Sequence, residues 1–120
     1  GTYGSGPTTP WETTWETAHG TYRPSSGDGH GTIMKSTVAV SSRTTNGTSK
    51  PRDAGGFDAL LTGKVMDGVH SGYGTDFIPW VGSSINLGNA ACRTINYALT
   101  GVWHGGYYKS AMLSVRCKKD

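Results

Sequence analysis

Arg93, Asn96, Trp103, His104, Tyr107 and Tyr108 crowd into residues 93–108, with Asn86, Asn89 and Tyr97 beside them. Side chains of these types recognise rather than react. Rigid rings give contact area at low entropy cost, and amides adapt their hydrogen bonds to a partner. Ring faces also stack on sugars. The expectation is a ligand-binding surface built from Arg93, Asn96, Trp103, His104, Tyr107 and Tyr108. Gly101 and the pair Gly105-Gly106 read as turns, which would set Trp103 and His104 at an exposed tip. Trp80, after Pro79, reads instead as a core ring.

Chemistry of other kinds finds little footing. The eight carboxylates are scattered, with no adjacent pair. The four histidines, His19, His30, His70 and His104, have no metal-ligand spacing. Asp28 and His30 stand among glycines, where turn chemistry explains Asp-Gly equally well. No GxSxG, phosphate loop or dinucleotide fingerprint is present. The expectation is a protein that is not an enzyme and carries no cofactor or metal.

Cys92 and Cys117 are the two cysteines. In a chain of extracellular character they are expected to form one disulfide, closing a loop around Trp103. Loop closure of that length contributes on the order of 3–4 kcal/mol in the chain-entropy model. Two free buried thiols are the alternative.

The elements that must position these residues are short. Met112 to Cys117 alternates, with Leu113, Val115 and Cys117 on one face, and reads as a closing strand. Cys92 to Leu99 alternates too and reads as a partner strand. Near the start, Thr9 as N-cap, Pro10 at the first helical position and Glu12 three residues on form a capping box. Trp11, Trp15 and Ala18 then share a helical face, and His19-Gly20 ends the turn. Core packing explains this Trp pair better than a sugar platform, because the spacing is helical. Residues 20–31 are loop, 32–40 are a β-branched run read as a strand, and 41–56 are a polar loop. Residues 1–8 read as a linker or arm, and 9–120 as a single domain.

With 120 residues, 19 Gly, 16% charged residues and 10% aromatics, the chain has the profile of a small, loop-rich, strand-based extracellular domain. Four Trp, six Tyr and two Phe argue against disorder. A net charge of +3 is too thin for nucleic acid, and Lys109, Arg116, Lys118 and Lys119 read as solvated surface. No stretch is long and apolar enough to span a bilayer. Gly1 in place of Met makes a processed product or an excised piece the expectation. Asn46-Gly47-Thr48 fits a glycosylation sequon that arises easily by chance in such a loop.

The ordered set GFDALLTGKV, FIPWVGSS, CRTINYALTGVW and LSVRCKKD resembles the Fibrobacter succinogenes major paralogous domain, and HGTIMKST resembles the segment that precedes these. The resemblance covers about residues 30–120. The family's Cys-Pro-x-Gly-Trp-His-Leu-Pro opening is missing, and Met112-Leu113 replaces its Gly-Phe before Ser-Val-Arg-Cys. Such domains are similar to the formylglycine-generating-enzyme type of C-type lectin fold, which also carries the variable proteins of diversity-generating retroelements. The resemblance implies an α+β, C-type lectin-like fold of one or two short helices, small antiparallel sheets and long loops. Formylglycine-generating enzymes use a cysteine pair for copper chemistry, and nothing around Cys92 or Cys117 matches that site. The calcium-binding Glu-Pro-Asn and Trp-Asn-Asp motifs of C-type lectins are absent. The resulting expectation is a binding or adhesion domain on a cell surface, a secreted protein or a phage tail tip, engaging a surface glycan or protein receptor. The second reading is a structural subunit of an extracellular filament, pilus or virion, self-assembling as a homo-oligomer or fibre.

Overall fold

In the computed structural model, the described residues are 11–17, 19–25, 29–40, 47–49 and 57–115. The arm at 1–8, the helix start at Thr9 and Pro10, Ala18, Asp28, most of the 41–56 loop and Cys117 lie outside them. The described chain is α+β: mostly antiparallel strands with one short α-helix.

Its centre is a long hairpin of β6, Asn89–Asn96, and β7, Val102–Tyr108. The alternation from Cys92 onward is the cause, since Cys92, Thr94 and Ile95 are buried while Arg93 and Asn96 are half-buried. Around it stand β1, Thr21–Arg23, on the far side of β7, and two strands that share the other edge of β6. Of these, β4, Asp76–Phe77, pairs with the Ile95–Asn96 end, and β5, Trp80–Ser84, pairs with the Ala90–Cys92 end. A separate ribbon joins β2, Lys64–Met66, to β3, Val69–Ser71. Asp67 and Gly68, with φ of 51° and 76°, make its two-residue turn. Two consecutive left-handed residues match the twist of the flanking strands, and Asp-Gly supplies them readily.

The core lies at the β4 end. Ala59, Leu61, Phe77 and Ile95 form its buried cluster, with Met34, Val40 and Tyr97 packed against it. The GFDALL segment thus feeds Ala59 and Leu61 inward and leaves Leu60 exposed. Phe57 meets Phe77 edge-on at 5.8 Å.

Four expectations are corrected. The helix α1, His30–Met34, takes the end of the expected loop and the start of the strand expected from residue 32. A side chain on Gly31 would meet the Gly101 carbonyl oxygen at 2.5 Å, so the helix seats directly on the β6–β7 turn. Near the N-terminus the described helical residues are a 3-10 helix, Thr13–Thr17, in keeping with the poor intrinsic helix preference of its threonines. Gly105 and Gly106 do not turn the chain but lie inside β7. The Trp103 indole covers Gly105, where a Cβ would stand 2.1 Å from the ring. The closing segment is not a strand over its described length. Met112 bridges Val65 while Ser114 bridges Pro79, so successive residues meet different neighbours, and Val115 is 76% exposed.

Lys35 is the unexpected core residue, at 0% exposure. Its Nζ donates to the backbone carbonyls of Asn96 and Leu99, each at 2.7 Å, and also to the Thr48 hydroxyl. It thereby ties α1 to the β6–β7 turn. Burial pulls its pKa down to about 8.

Candidate functional site

Cross-strand partners share a face of the sheet. Arg93 stands opposite His104, and Thr94 opposite Trp103. Alternation therefore divides the six expected site residues. Arg93, His104 and Tyr108 belong to one face, and Asn96, Trp103 and Tyr107 to the other. No single tip gathers them.

On the second face the Asn96 amide is spent on the fold, and a small bay of about 140 Å³ lies among Tyr22, Asp76, Thr94, Trp103 and Tyr107. The Asn96 amide donates to Asp76 at 2.9 Å and accepts from the Ala98 backbone at 2.9 Å. Trp103 packs over Gly105 and stands 6.5 Å from Tyr107, which Lys64 Nζ approaches at 5.4 Å from its centroid. Tyr22, opposite Trp103, has its hydroxyl pushed up to about 12, first by burial and then by Asp76 and Tyr107. Asn86 also serves the fold: its Oδ1 accepts from the Gly88 and Asn89 backbones and closes the β5–β6 loop. Cys92 is buried on this face. Burial pushes its thiol up to about 11, Arg93 opposing, so it stays protonated and unreactive. It has no disulfide partner among the described residues, and Cys117 lies outside them.

The first face is built differently. The 3-10 helix lies across it, and Glu16 is the clamp. Arg93 Nη2 meets one Glu16 carboxylate oxygen at 2.7 Å, and Trp11 Nε1 donates to the other at 2.6 Å. The Arg93 guanidinium also sits over the Trp11 ring, 5.7 Å from its centroid. Trp11 meets Trp15 edge-on at 5.1 Å and His30 edge-on at 5.4 Å. The Trp pair thus packs together, as its spacing implies, yet both rings remain half-buried.

Between this helix and β5 run two bays. An apolar bay of about 430 Å³ is walled by Trp11, Met34, Phe57, Trp80, Val81 and Ile95. A polar bay of about 650 Å³ is lined by His19, Ser83, Ser84, Arg93 and His104. Glu16, Val81 and Arg93 border both, which makes one amphipathic groove. Trp80, expected in the core, is a half-buried groove wall at the start of β5.

Two nitrogens in the groove floor are buried without a hydrogen-bond partner among the described residues: Arg93 Nη1 and His104 Nδ1. His104 stacks on His19 at 4.3 Å, with the rings tilted by 30°. Burial lowers its pKa below 6.5, with Arg93 and His19 acting in the same direction and Glu16 against them. At neutral pH the imidazole is therefore uncharged. No cluster of three His, Cys, Asp or Glu able to hold a metal occurs among the described residues. Nor is any described helix long and apolar enough to cross a membrane.

Sequence reasoning named Arg93 and His104 but missed Trp11, Glu16, His30 and Trp80 as their neighbours. The clamp joins residues 77 positions apart, and no local pattern carries that information. Comparison with protein-family models, with curated proteins and with solved structures finds no match to this chain.

Proposed function

We propose that this chain is a non-enzymatic binding or adhesion domain of C-type lectin-like fold, as its resemblance to the major paralogous domain implies. It is displayed on a cell surface, a secreted protein or a phage tail tip, and it engages a surface glycan or protein receptor. The observation that supports this reading is the amphipathic groove. Aromatic walls at Trp11 and Trp80 stand beside two buried nitrogens that have no partner among the described residues. Apolar walls with a few convergent polar groups are the usual make-up of a ligand site, and buried polar atoms in folded proteins otherwise find partners. The groove lies beside the 3-10 helix, so the proposed site keeps Arg93 and His104 and moves away from the β6–β7 turn.

The test is a screen of the 120-residue chain against immobilised glycans and intact cells, with Trp11→Ala as the control variant. Binding that vanishes in a folded Trp11→Ala supports the reading. Binding that survives it places the site elsewhere.

A structural role in a filament, pilus or virion is the second reading. It is favoured by apolar side chains gathered at the β5–β6 loop and the neighbouring end of β7: Ile85, Tyr108 and Leu87, the last 100% exposed. Large bare apolar surfaces mark contacts between proteins. Size-exclusion chromatography and negative-stain images separate the two, since a polymer is not mistaken for a monomer.

A further inference from the structure

We infer that the second face carries a site of its own, for a methylated ammonium head group held among Tyr22, Trp103 and Tyr107 with Asp76 as its counter-charge.

Register brings these residues together from three strands. Trp103 stands between Tyr22 of β1 and Thr94 of β6, its partners on either side. Cross-strand partners share a face, and so does every second residue along a strand. Tyr107 therefore joins this face from β7, and Asp76, opposite Asn96, joins it from β4. Together with Ile78 and Thr94 they line one bay. The three rings and Asp76 are half-buried, so they keep surface that a ligand can touch.

The charge in this bay is negative. None of its lining residues is basic. Asp76 accepts a hydrogen bond from the Asn96 amide, yet it has no ion pair among the described residues. Its charge is felt by Tyr22, whose hydroxyl is held at about 12 by burial first, then by Asp76 and Tyr107. An anion would be repelled by the carboxylate and by the negative faces of the rings. A neutral group would gain nothing from either. A cation is drawn by both. One is drawn already: Lys64 Nζ lies 5.4 Å from the Tyr107 centroid, from outside the lining of the bay. Trp103 and Tyr107 stand 6.5 Å apart and are tilted by 51°, so they make a corner rather than a stack.

Size and hydration narrow the cation. The bay measures about 140 Å³. At about 30 Å³ for each water of the liquid, that is room for roughly five heavy atoms. A trimethylammonium group and the carbon that bears it have that size. A bare ammonium is strongly hydrated and brings several N–H donors that need acceptors. Asp76 is the one carboxylate in the lining, and one of its oxygens already serves Asn96. A methylated nitrogen makes no such demand and turns its methyl groups to the rings.

The experiment titrates the 120-residue chain with choline, tetramethylammonium, methylammonium and dimethylbutanol, the uncharged carbon isostere of choline. It is followed by the indole N–H signal of Trp103, assigned by its loss in Trp103→Phe. Choline should move that signal and bind about tenfold or more tighter than dimethylbutanol. Tetramethylammonium should bind tighter than methylammonium. Asp76→Asn keeps an oxygen for the Asn96 amide and loses the charge, so choline should bind about tenfold more weakly. Tyr107→Leu should weaken it by a similar factor. Lys64→Met should leave it as tight or slightly tighter. The four ligands on the wild-type chain carry the test if a variant fails to fold.

Equal binding of choline and dimethylbutanol would overturn the inference, since the bay would then be apolar space alone. Tighter binding of methylammonium would overturn it in favour of a bare ammonium. Choline binding that appears only in Lys64→Met would overturn it too, because the rings would then belong to the chain's own lysine. Absence of any Trp103 shift would do the same. The groove on the first face is read separately, by glycan and cell binding and its loss in Trp11→Ala, so either site can fail alone.

Discussion

The two faces of the β6–β7 hairpin are made from the same two strands and are used in opposite ways. On one face Asn96 is held at both ends of its amide, and Trp103 is laid over a glycine. The other brings in a helix from 77 residues away, and two of its buried nitrogens have no hydrogen-bond partner among the described residues. A polar group buried without a partner costs about 1–3 kcal/mol. That contrast is what supports the proposal of an occupant on the first face. The difference turns on register. A slip of β7 by one residue against β6 would turn its side chains over and set Trp103 or Gly105 beside Arg93 in place of His104.

The largest expected effect comes from the anchor of the β6–β7 turn. Lys35 bonds the carbonyls around the β6–β7 turn from inside the core. Lys35→Met keeps its length and leaves those carbonyls bare. Relief of a buried charge offsets part of the loss, and a net destabilisation of about 2–3 kcal/mol is expected by urea unfolding. An unchanged midpoint would mean that the turn is held by something else.

How much of this was legible in the sequence follows from the range of each interaction. The strand at β6 was readable, because period-two alternation is local. Residue type alone also singled out Arg93 and His104 as candidates, and the register sets them opposite each other on one face. The helix at His30–Met34 was not, because Thr32 and Ile33 read as strand formers. What seats the helix is Gly31 against Gly101, a contact between distant parts of the chain. Gly105-Gly106 misled for a related reason. A glycine pair signals a turn locally, and only the indole lying across Gly105 shows that the pair makes room for a ring.

Trp103→Ala and Arg93→Ala sharpen the comparison, one from each face. Trp103 is half-buried at mid-strand, so its removal should destabilise the domain by about 2 kcal/mol, less than a fully enclosed Trp. Glycan or cell binding per folded molecule should be unchanged. Arg93→Ala should do the reverse. Its ion pair with Glu16 is partly solvated, with side chains 19% and 57% exposed, so stability should fall by about 1 kcal/mol or less. Binding should be lost. Thermal melts and a binding titration on both variants decide it. If Trp103→Ala abolishes binding while Arg93→Ala spares it, the functional face has been assigned the wrong way round.

The smallest effect is a pH dependence confined to the groove face. Burial, Arg93 and His19 all oppose charge on His104, and Glu16 favours it, leaving the folded pKa below 6.5. In the unfolded chain this histidine takes its proton near 6.5. From about pH 6.5 down to the lower folded value, the unfolded state therefore holds more protons at this site. Stability must fall with pH across that window. Above pH 6.5 both states are neutral here and the contribution is complete. Melting temperatures at pH 7.5 and 5.5 should differ in this direction, and His104→Gln should narrow the gap. Its remainder belongs to the other titrating groups. Trp103→Ala, on the opposite face, should leave the gap as it was. A His104→Gln variant with the full wild-type pH response would show that His104 is solvated and that its Nδ1 already has water as a partner.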